Sequence, residues 1–176
     1  MNNIGVFCAA SDRLDAHYYE LAEQFGKWLG ENGKTLVYGG ANSGLMESIA
    51  RGVKAMGGKV VGVVPDILEK KCRKSDFIDV TIPCGDLNER KAILVEQSDI
   101  LVALPGGIGT LDEIFTVMAA HSIGYHAKRV VLFDLNGFWD GLYEVLQELD
   151  RKHFVNVPLE EYLTVARTWE ELYALL

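Results

Sequence analysis

The sequence predicts a doubly wound, Rossmann-like α/β fold, in which helices cover both faces of a parallel sheet. Short runs rich in aliphatic and β-branched residues alternate with longer segments of helical periodicity, which is typical of a parallel sheet. Several short runs, such as residues 60–64 and 100–104, are nearly all apolar, which indicates strands buried on both faces. Gly-rich turns directly follow two of the runs, where an open α/β sheet collects its ligands.

The predicted elements follow from these patterns in chain order. Strands are expected at residues 4–8, 35–38, 59–64, 77–81, 100–104 and 129–133. Helices are expected at residues 15–32, 44–56, 87–97, 111–123, 138–152 and 169–175. Three helix starts, at Asp86, Thr110 and Thr168, place a capping oxygen three residues before a glutamate, which is the spacing of a capping box.

Composition limits the class of protein. With 176 residues, of which 49% are hydrophobic, the chain is expected to form one domain over residues 1–176 without disulfides or metal. The net charge of −8 argues against nucleic acid as a general partner. The three cysteines form no CxxC pair and HExxH is absent, so we expect no metal. Neither Gly-rich turn contains a lysine that could bond to pyridoxal phosphate, and we expect no organic cofactor. The lack of a secretory signal and of a long apolar segment predicts a cytoplasmic protein with no membrane partner.

The turn from Pro105 to Thr110 is the strongest candidate for a ligand site. Its glycines remove the Cβ atoms that would keep a phosphate from the backbone, and the helix that follows adds its positive dipole end. The alternative is a tight strand-to-helix turn without a ligand. The turn lacks the lysine of a Walker P-loop and departs from GxGxxG, so a monophosphate fits better than a triphosphate or a dinucleotide. The residues expected to bind it are Gly106, Gly107, Ile108, Gly109 and Thr110.

A second Gly-rich turn, residues 38–44, is expected to face the same crevice from the end of another strand. Ser43 and Gly44 are its candidate ligand-binding residues. Met46, in the first turn of the next helix, is a candidate for contact with a flat base, with core packing as the alternative.

Three charged residues have both a chemical and a structural interpretation. Arg90 and Lys91 lie in the first turn of a predicted helix, where a cation is unfavourable unless it meets an anion. Arg90 therefore either grips the oxygens of a ligand or forms a surface ion pair with Asp86 or Glu89. Glu113 either completes the capping box of Thr110 or places a carboxylate beside a ligand's sugar, and the two roles are compatible.

The segment from Pro105 to Glu113, PGGIGTLDE, resembles the PGGxGTxxE signature of the LOG ("lonely guy") proteins. These are cytokinin riboside 5′-monophosphate phosphoribohydrolases, often mislabelled lysine decarboxylases. Further matching stretches are residues 5–8, 38–40, 44–46, 62–65, 88–91 and 123–128. The resemblance implies hydrolysis of the N-glycosidic bond of AMP or an N6-modified AMP, giving the free base and ribose 5-phosphate.

The resemblance also implies roles for particular residues. In that family the residues matching Arg90 and Glu113 are catalytic, the Gly-rich loop holds the phosphate, and the residue matching Lys91 helps to bind the nucleotide. A carboxylate at Glu113 would stabilise an oxocarbenium-like transition state, and Arg90 is expected to keep it ionised. Relatives of this size are typically homodimers, so a homodimer is expected here.

The alternative to an enzyme is a non-catalytic carrier of a nucleotide or of the molybdenum cofactor, because relatives with a similar loop have that role. The sequence leaves the base open, adenine or an N6-prenyl adenine. It also leaves open whether the physiological role is cytokinin activation or nucleotide salvage.

Overall fold

The computed structural model describes residues 2–176. Its strands are β1 (Asn3–Phe7), β2 (Thr35–Tyr38), β3 (Lys59–Pro65), β4 (Val80–Cys84), β5 (Ile100–Ala103), β6 (Val130–Phe133) and β7 (Leu163–Ala166). They lie in the order β4-β3-β2-β1-β5-β6-β7, so the direction in which the chain crosses the sheet reverses between β1 and β5. Every neighbouring pair is parallel. The predicted doubly wound, Rossmann-like sheet is confirmed.

The helices divide between the two faces of this sheet. They are α1 (Ala16–Glu31), α2 (Gly44–Ala55), α3 (Asp66–Lys70), α4 (Leu87–Gln97), α5 (Ile108–Ser122), α6 (Asp140–Arg151) and α7 (Trp169–Leu175). One cluster of buried side chains contains residues of α1, α2 and α7, and a second contains residues of α4, α5 and α6. Alternate residues of the central strands enter the two clusters, as Leu36 and Val37 of β2 do. In residues 2–176 no helix combines the length and apolar character needed to cross a membrane.

Three short elements differ from the prediction. The strand expected at residues 77–81 lies instead at Val80–Cys84, where Pro83 is tolerated because β4 is an edge strand. Helix α3 and strand β7 are absent from the predicted elements. Helix α3 has five residues, none of them buried, and β7 has four. Segments this short carry too little periodicity to be recognised.

The start of α5 is the most consequential difference. The helix begins at Ile108 rather than at Leu111, and its N-cap is Gly107, with no side chain accepting from the first turn. The capping box expected between Thr110 and Glu113 is therefore wrong, because both residues lie inside the helix. Glu113 faces the protein interior instead of the helix end.

The other two predicted caps are present. The Asp86 carboxylate accepts from the N–H groups of Asn88 and Glu89, and the Thr168 hydroxyl accepts from the N–H of Glu171. In both motifs the glutamate reaches back to the residue before the cap. Glu89, for example, accepts from the Gly85 N–H at 2.6 Å. The Asp86 cap fixes the first turn of α4, which carries Arg90 and Lys91.

Candidate functional site

A cavity of about 470 Å³ opens at the carboxyl edge of the sheet, beside the reversal between β1 and β5. The loop after β1 and the turn after β5 meet there, because the Ala9 N–H donates to the Pro105 carbonyl at 3.2 Å. Residues of α2, α3, α4 and α5 form the other walls. Concave sites of this size at a topological switch point commonly bind small molecules.

Arg90 and Glu113 meet in the wall of this cavity. Arg90 lies in the first turn of α4 and Glu113 in the second turn of α5, and the Arg90 Nη1 donates to the Glu113 Oε1 at 3.3 Å. Their side chains are only 11% and 6% exposed. The surface ion pair of Arg90 with Asp86 or Glu89 is therefore wrong, since those carboxylates bind backbone N–H groups.

The surroundings of Glu113 change its protonation. Burial raises the pKa of Glu113 to about 7, with Arg90 opposing the shift and Asp112 adding to it. Arg90 favours the ionised form of Glu113, as expected, but desolvation outweighs the guanidinium, so near neutral pH Glu113 is only partly ionised. At neutral pH both the protonated and the ionised form of Glu113 are therefore populated. Such a perturbed pKa is typical of groups that take part in catalysis.

A second ion pair runs beside the first. The Lys91 Nζ lies 2.8 Å from both carboxylate oxygens of Asp112. Lys91 is 13% exposed and Asp112 is 51% exposed, so this pair lies toward the cavity mouth and the Arg90–Glu113 pair lies deeper. Two adjacent residues of α4 thus pair with two adjacent residues of α5. The Lys91 ammonium is satisfied by the protein before any ligand binds.

The first turn of α5 can hold an anion. Helix N–H groups of the first turn have no intrahelical acceptor, and at α5 no side chain caps them. Gly107 and Gly109 line the cavity, and a Cβ added at either would meet no other atom within 4 Å. The glycines therefore leave open the space in front of the helix dipole. Gly106 has another use, because a Cβ there would lie 2.1 Å from the Thr110 Oγ1.

The structure separates the remaining predicted ligand-binding residues. Met46, Lys91 and Thr110 line the cavity, whereas Ser43, Gly44, Gly106 and Ile108 are not among its lining residues. At α2 the protein itself occupies the helix N-terminus: the Gly44 N–H donates to Asp12 and the Leu45 N–H to the Ala9 carbonyl. The anion-binding character of the two Gly-rich turns therefore differs. Of the two helices that follow these turns, α5 is the one for which no side chain caps the first-turn N–H groups, whereas Asp12 and the Ala9 carbonyl accept from those of α2.

Ten lining residues are not among the site residues predicted from the sequence: Cys8, Ala9, Ala10, Ser11, Ala41, Pro65, Ile67, Leu68, Leu87 and Asp112. Leu87 has a signal that could have revealed it, because it stands four residues before Lys91 on the same helix face. Asp112 is adjacent to Glu113. Ile67 and Leu68 belong to α3, a helix too short to predict.

Cys8, which follows β1, also lines the cavity. Burial raises the pKa of the Cys8 thiol, so it stays protonated and is a poor nucleophile. Within the described residues, no three His, Cys, Asp or Glu side chains are grouped to hold a metal ion. Of the charged side chains that line the cavity, Arg90 and Glu113 are the least exposed.

Comparison with known proteins identifies relatives over most of the chain. A family model described as "possible lysine decarboxylase" matches residues 46–176. A probable cytokinin riboside 5′-monophosphate phosphoribohydrolase of Oryza sativa subsp. japonica is 35% identical over 95% of this chain and 68% of its own length. A cytokinin riboside 5′-monophosphate phosphoribohydrolase of Mycobacterium tuberculosis is 36% identical over 92% of this chain and 86% of its own length.

Solved structures give a second set of similarities. The molybdenum cofactor binding protein of Rippkaea orientalis superposes with a TM-score of 0.75 and 25% identity, over 99% of this chain and 94% of that one. The Moco carrier protein of Chlamydomonas reinhardtii superposes with a TM-score of 0.74 and 26% identity, with the same coverage. The sequence identity of this chain to the two phosphoribohydrolases, 35% and 36%, is higher than its identity to these two structures, 25% and 26%.

Proposed function

Because this chain belongs to the LOG family of cytokinin riboside 5′-monophosphate phosphoribohydrolases, we propose that it hydrolyses AMP or an N6-modified AMP. In this reaction a water oxygen bonds to C1′ of the ribose and the C1′–N bond to the base breaks. The base leaves with the bonding electron pair and gains a proton, and ribose 5-phosphate is the other product. The observation that carries the proposal is the buried contact between Arg90 and Glu113, 3.3 Å apart beside an uncapped helix N-terminus.

The phosphate is the anchor in this proposal. The first-turn N–H groups of α5, with Gly107 and Gly109 in front of them, would bind it, and Lys91 would add a cation. Binding energy gained there fixes the sugar, so that C1′ is presented to water at the deeper end of the cavity. The base would then lie against Met46, which is both packed in the core and part of the cavity wall.

Glu113 would act at the sugar. Cleavage of a glycosidic bond builds positive charge on C1′ and the ring oxygen, and a nearby carboxylate stabilises that charge. The ionised form of Glu113 is the active form in this role. Arg90 would direct its remaining N–H groups to the nucleotide while its Nη1 orients the carboxylate.

The proposal is tested by incubating the purified protein with AMP and with N6-isopentenyl-AMP and measuring free base and ribose 5-phosphate by chromatography. Release of base in a stoichiometric ratio with ribose 5-phosphate is expected, and the ratio of the two kcat/KM values gives the base preference. No release from any nucleoside monophosphate, with tight binding of the molybdenum cofactor instead, would establish the carrier function of the structural neighbours.

A lysine decarboxylase, the activity in the family description, fits the residues poorly. Such an enzyme needs a lysine whose free amine bonds covalently to pyridoxal phosphate. Among the described residues that line the cavity, the lysine is Lys91, and its ammonium is held at 2.8 Å by both oxygens of Asp112. Enzymes with bound pyridoxal phosphate absorb at roughly 400 nm. We expect the purified protein to show no absorbance there, and a band at that wavelength would support the decarboxylase instead.

We also propose that the protein is a homodimer joined through an exposed apolar face of α5. Ile108 and Phe115 are 83% and 42% exposed, and Ile123, which follows the helix, is 68% exposed. Their spacing of seven and eight residues puts them on one side of the helix. Size-exclusion chromatography with light scattering is expected to give twice the 19.5 kDa of one chain, and Phe115→Lys to lower that mass. A wild-type mass of one chain would refute the dimer.

A further inference from the structure

Gly39, the residue after β2, lies against the Arg90 guanidinium. A Cβ added at Gly39 would lie 1.5 Å from the Arg90 Nη2, 2.7 Å from Cζ and 3.3 Å from Nε. These are the three nearest atoms, and all belong to the one side chain. Carbon and its neighbours in proteins pack at roughly 3.5–4 Å, so Arg90 occupies the space in which any larger residue at position 39 would place its side chain.

The same guanidinium has two other protein contacts. Its Nε donates to the Val63 carbonyl at 3.3 Å, near the end of β3, and its Nη1 donates to Glu113 at 3.3 Å. Because β2 and β3 are neighbours in the sheet, Gly39 and Val63 belong to one side of the site and Glu113 to the other. The guanidinium is thus held between the sheet edge and α5.

We propose that Gly39 is a positioning residue. Because Gly39 has no side chain, it leaves a space at the end of β2 that the Arg90 guanidinium occupies, and we call this space the seat of Arg90. The seat rests on geometry alone, and its effect on turnover rests on the proposed function. Arg90 is attached to α4, and its side chain crosses to the end of β2 to reach Glu113. Without the space at Gly39, the guanidinium would have to leave the sheet edge and move away from the carboxylate.

The backbone does not require glycine at this position. Gly40 and Gly44 have φ values of +77° and +58°, in the left-handed region that favours glycine, and Gly39 is not among the residues with positive φ. Alanine is therefore compatible with the Gly39 backbone, and by itself it would reduce the entropy of the unfolded chain. The Cβ of an alanine at position 39 would clash with the Arg90 side chain, which is flexible. We therefore expect the fold to be kept and the Arg90 guanidinium to move.

The seat predicts energetic coupling between positions 39 and 90. The test compares wild type, Gly39→Ala, Arg90→Ala and the double variant, by urea unfolding at pH 8, where Glu113 is mostly ionised. Gly39→Ala is expected to lower the urea midpoint of the wild type, because it separates a buried carboxylate from its cation. In the Arg90→Ala background it is expected to raise the midpoint, since the conflict is gone and the entropic gain remains.

Gly141→Ala supplies the matched control. Gly141 lies in α6, and a Cβ there meets no other atom within 4 Å. This change should raise the midpoint equally in both backgrounds. A shift from Gly39→Ala that is the same, in sign and size, with and without Arg90 would overturn the seat.

Activity provides the second readout. Gly39→Ala is expected to lower kcat for AMP hydrolysis about tenfold or more and to move the acid limb of the pH profile to higher pH, while adding no loss to Arg90→Ala. A Gly39→Ala enzyme with full kcat would overturn the positioning role. If the wild type cleaves no nucleotide, the proposed function fails, and the unfolding cycle alone decides whether the seat exists.

Discussion

The Arg90 guanidinium and the Glu113 carboxylate are brought to 3.3 Å by two helices that follow different strands, and both side chains are nearly excluded from water. An ion pair of this kind is not a dependable source of stability, because the desolvation of both charges offsets their attraction. The pKa of Glu113, raised to about 7, shows that desolvation prevails here. The burial of Arg90 and Glu113 is therefore better explained by a chemical role in the cavity than by a contribution to the stability of the fold.

Replacing Glu113 with glutamine tests its chemical role. Glu113→Gln keeps the shape of the side chain and removes the charge that, in the proposed reaction, stabilises the transition state. We expect kcat to fall by at least about 10²–10³, the range typical of losing one key electrostatic group, while AMP still binds. Isothermal titration with AMP and a base-release assay measure the two effects separately. A variant that retains turnover would exclude Glu113 from the chemistry.

The pH dependence of stability follows from the same residue. The pKa of Glu113 rises from 4.5 to about 7 in the folded protein, so folding favours its protonated form. The stability that this proton contributes is complete below pH 4.5 and is lost as pH rises through 7. Relative to Glu113→Gln, the wild type should lose of the order of 3 kcal/mol between pH 4.5 and pH 8. Urea unfolding of both proteins across this range gives the difference, and parallel curves would contradict the shift.

Arg90→Ala should impair both binding and rate. It removes the proposed donor to the nucleotide and leaves Glu113 buried without its cation. We expect KM to rise and kcat to fall, with kcat/KM lower by at least about 10²-fold. The acid limb of the pH profile should also move upward, because Arg90 opposes the rise in the pKa of Glu113. Steady-state kinetics from pH 5.5 to 9 measures both, and an unchanged kcat/KM would assign Arg90 a purely structural role.

Asp112 adjusts the site from its rim. Its charge contributes to the raised pKa of Glu113, and its carboxylate holds Lys91. Asp112→Asn should therefore move the acid limb of the pH profile downward. It should also lower KM by about threefold, as expected for releasing a half-exposed ion pair. Asp112→Glu keeps the charge and serves as the control. The interpretation fails if Asp112→Asn and Asp112→Glu give the same profile.

The sequence predicts the parts of this molecule that carry strong periodic patterns. The parallel sheet, the four-residue strand β2 and the boundaries of α4 follow directly from buried runs and a capping box. The pairing of Arg90 with Glu113 does not, because it depends on how α4 and α5 approach each other. Local spacing instead suggested that Glu113 caps a helix, since Gly109 reads as part of a turn although it lies inside α5.

The site shows the same division. The Gly-rich turn after β5 and both catalytic candidates could be selected from the sequence, because residue type and spacing indicate their chemistry. Gly39 could be noticed only as part of a Gly-Gly pair. The Arg90 guanidinium that lies against it comes from α4, a helix that follows another strand, and that approach is visible only in three dimensions.

The short helix α3 forms a part of the cavity wall whose residues can change during evolution. Its residues Ile67 and Leu68 line the cavity, yet none of its residues is buried. Ile67 is half-exposed, so exchanges there alter the wall that a bound molecule meets at little expense to the folding free energy, whereas Leu68 also packs against the core. Arg90 and Glu113 have no such freedom, because both are fixed inside the protein. A lineage could thus drift toward new ligands through α3 while its reaction stays the same.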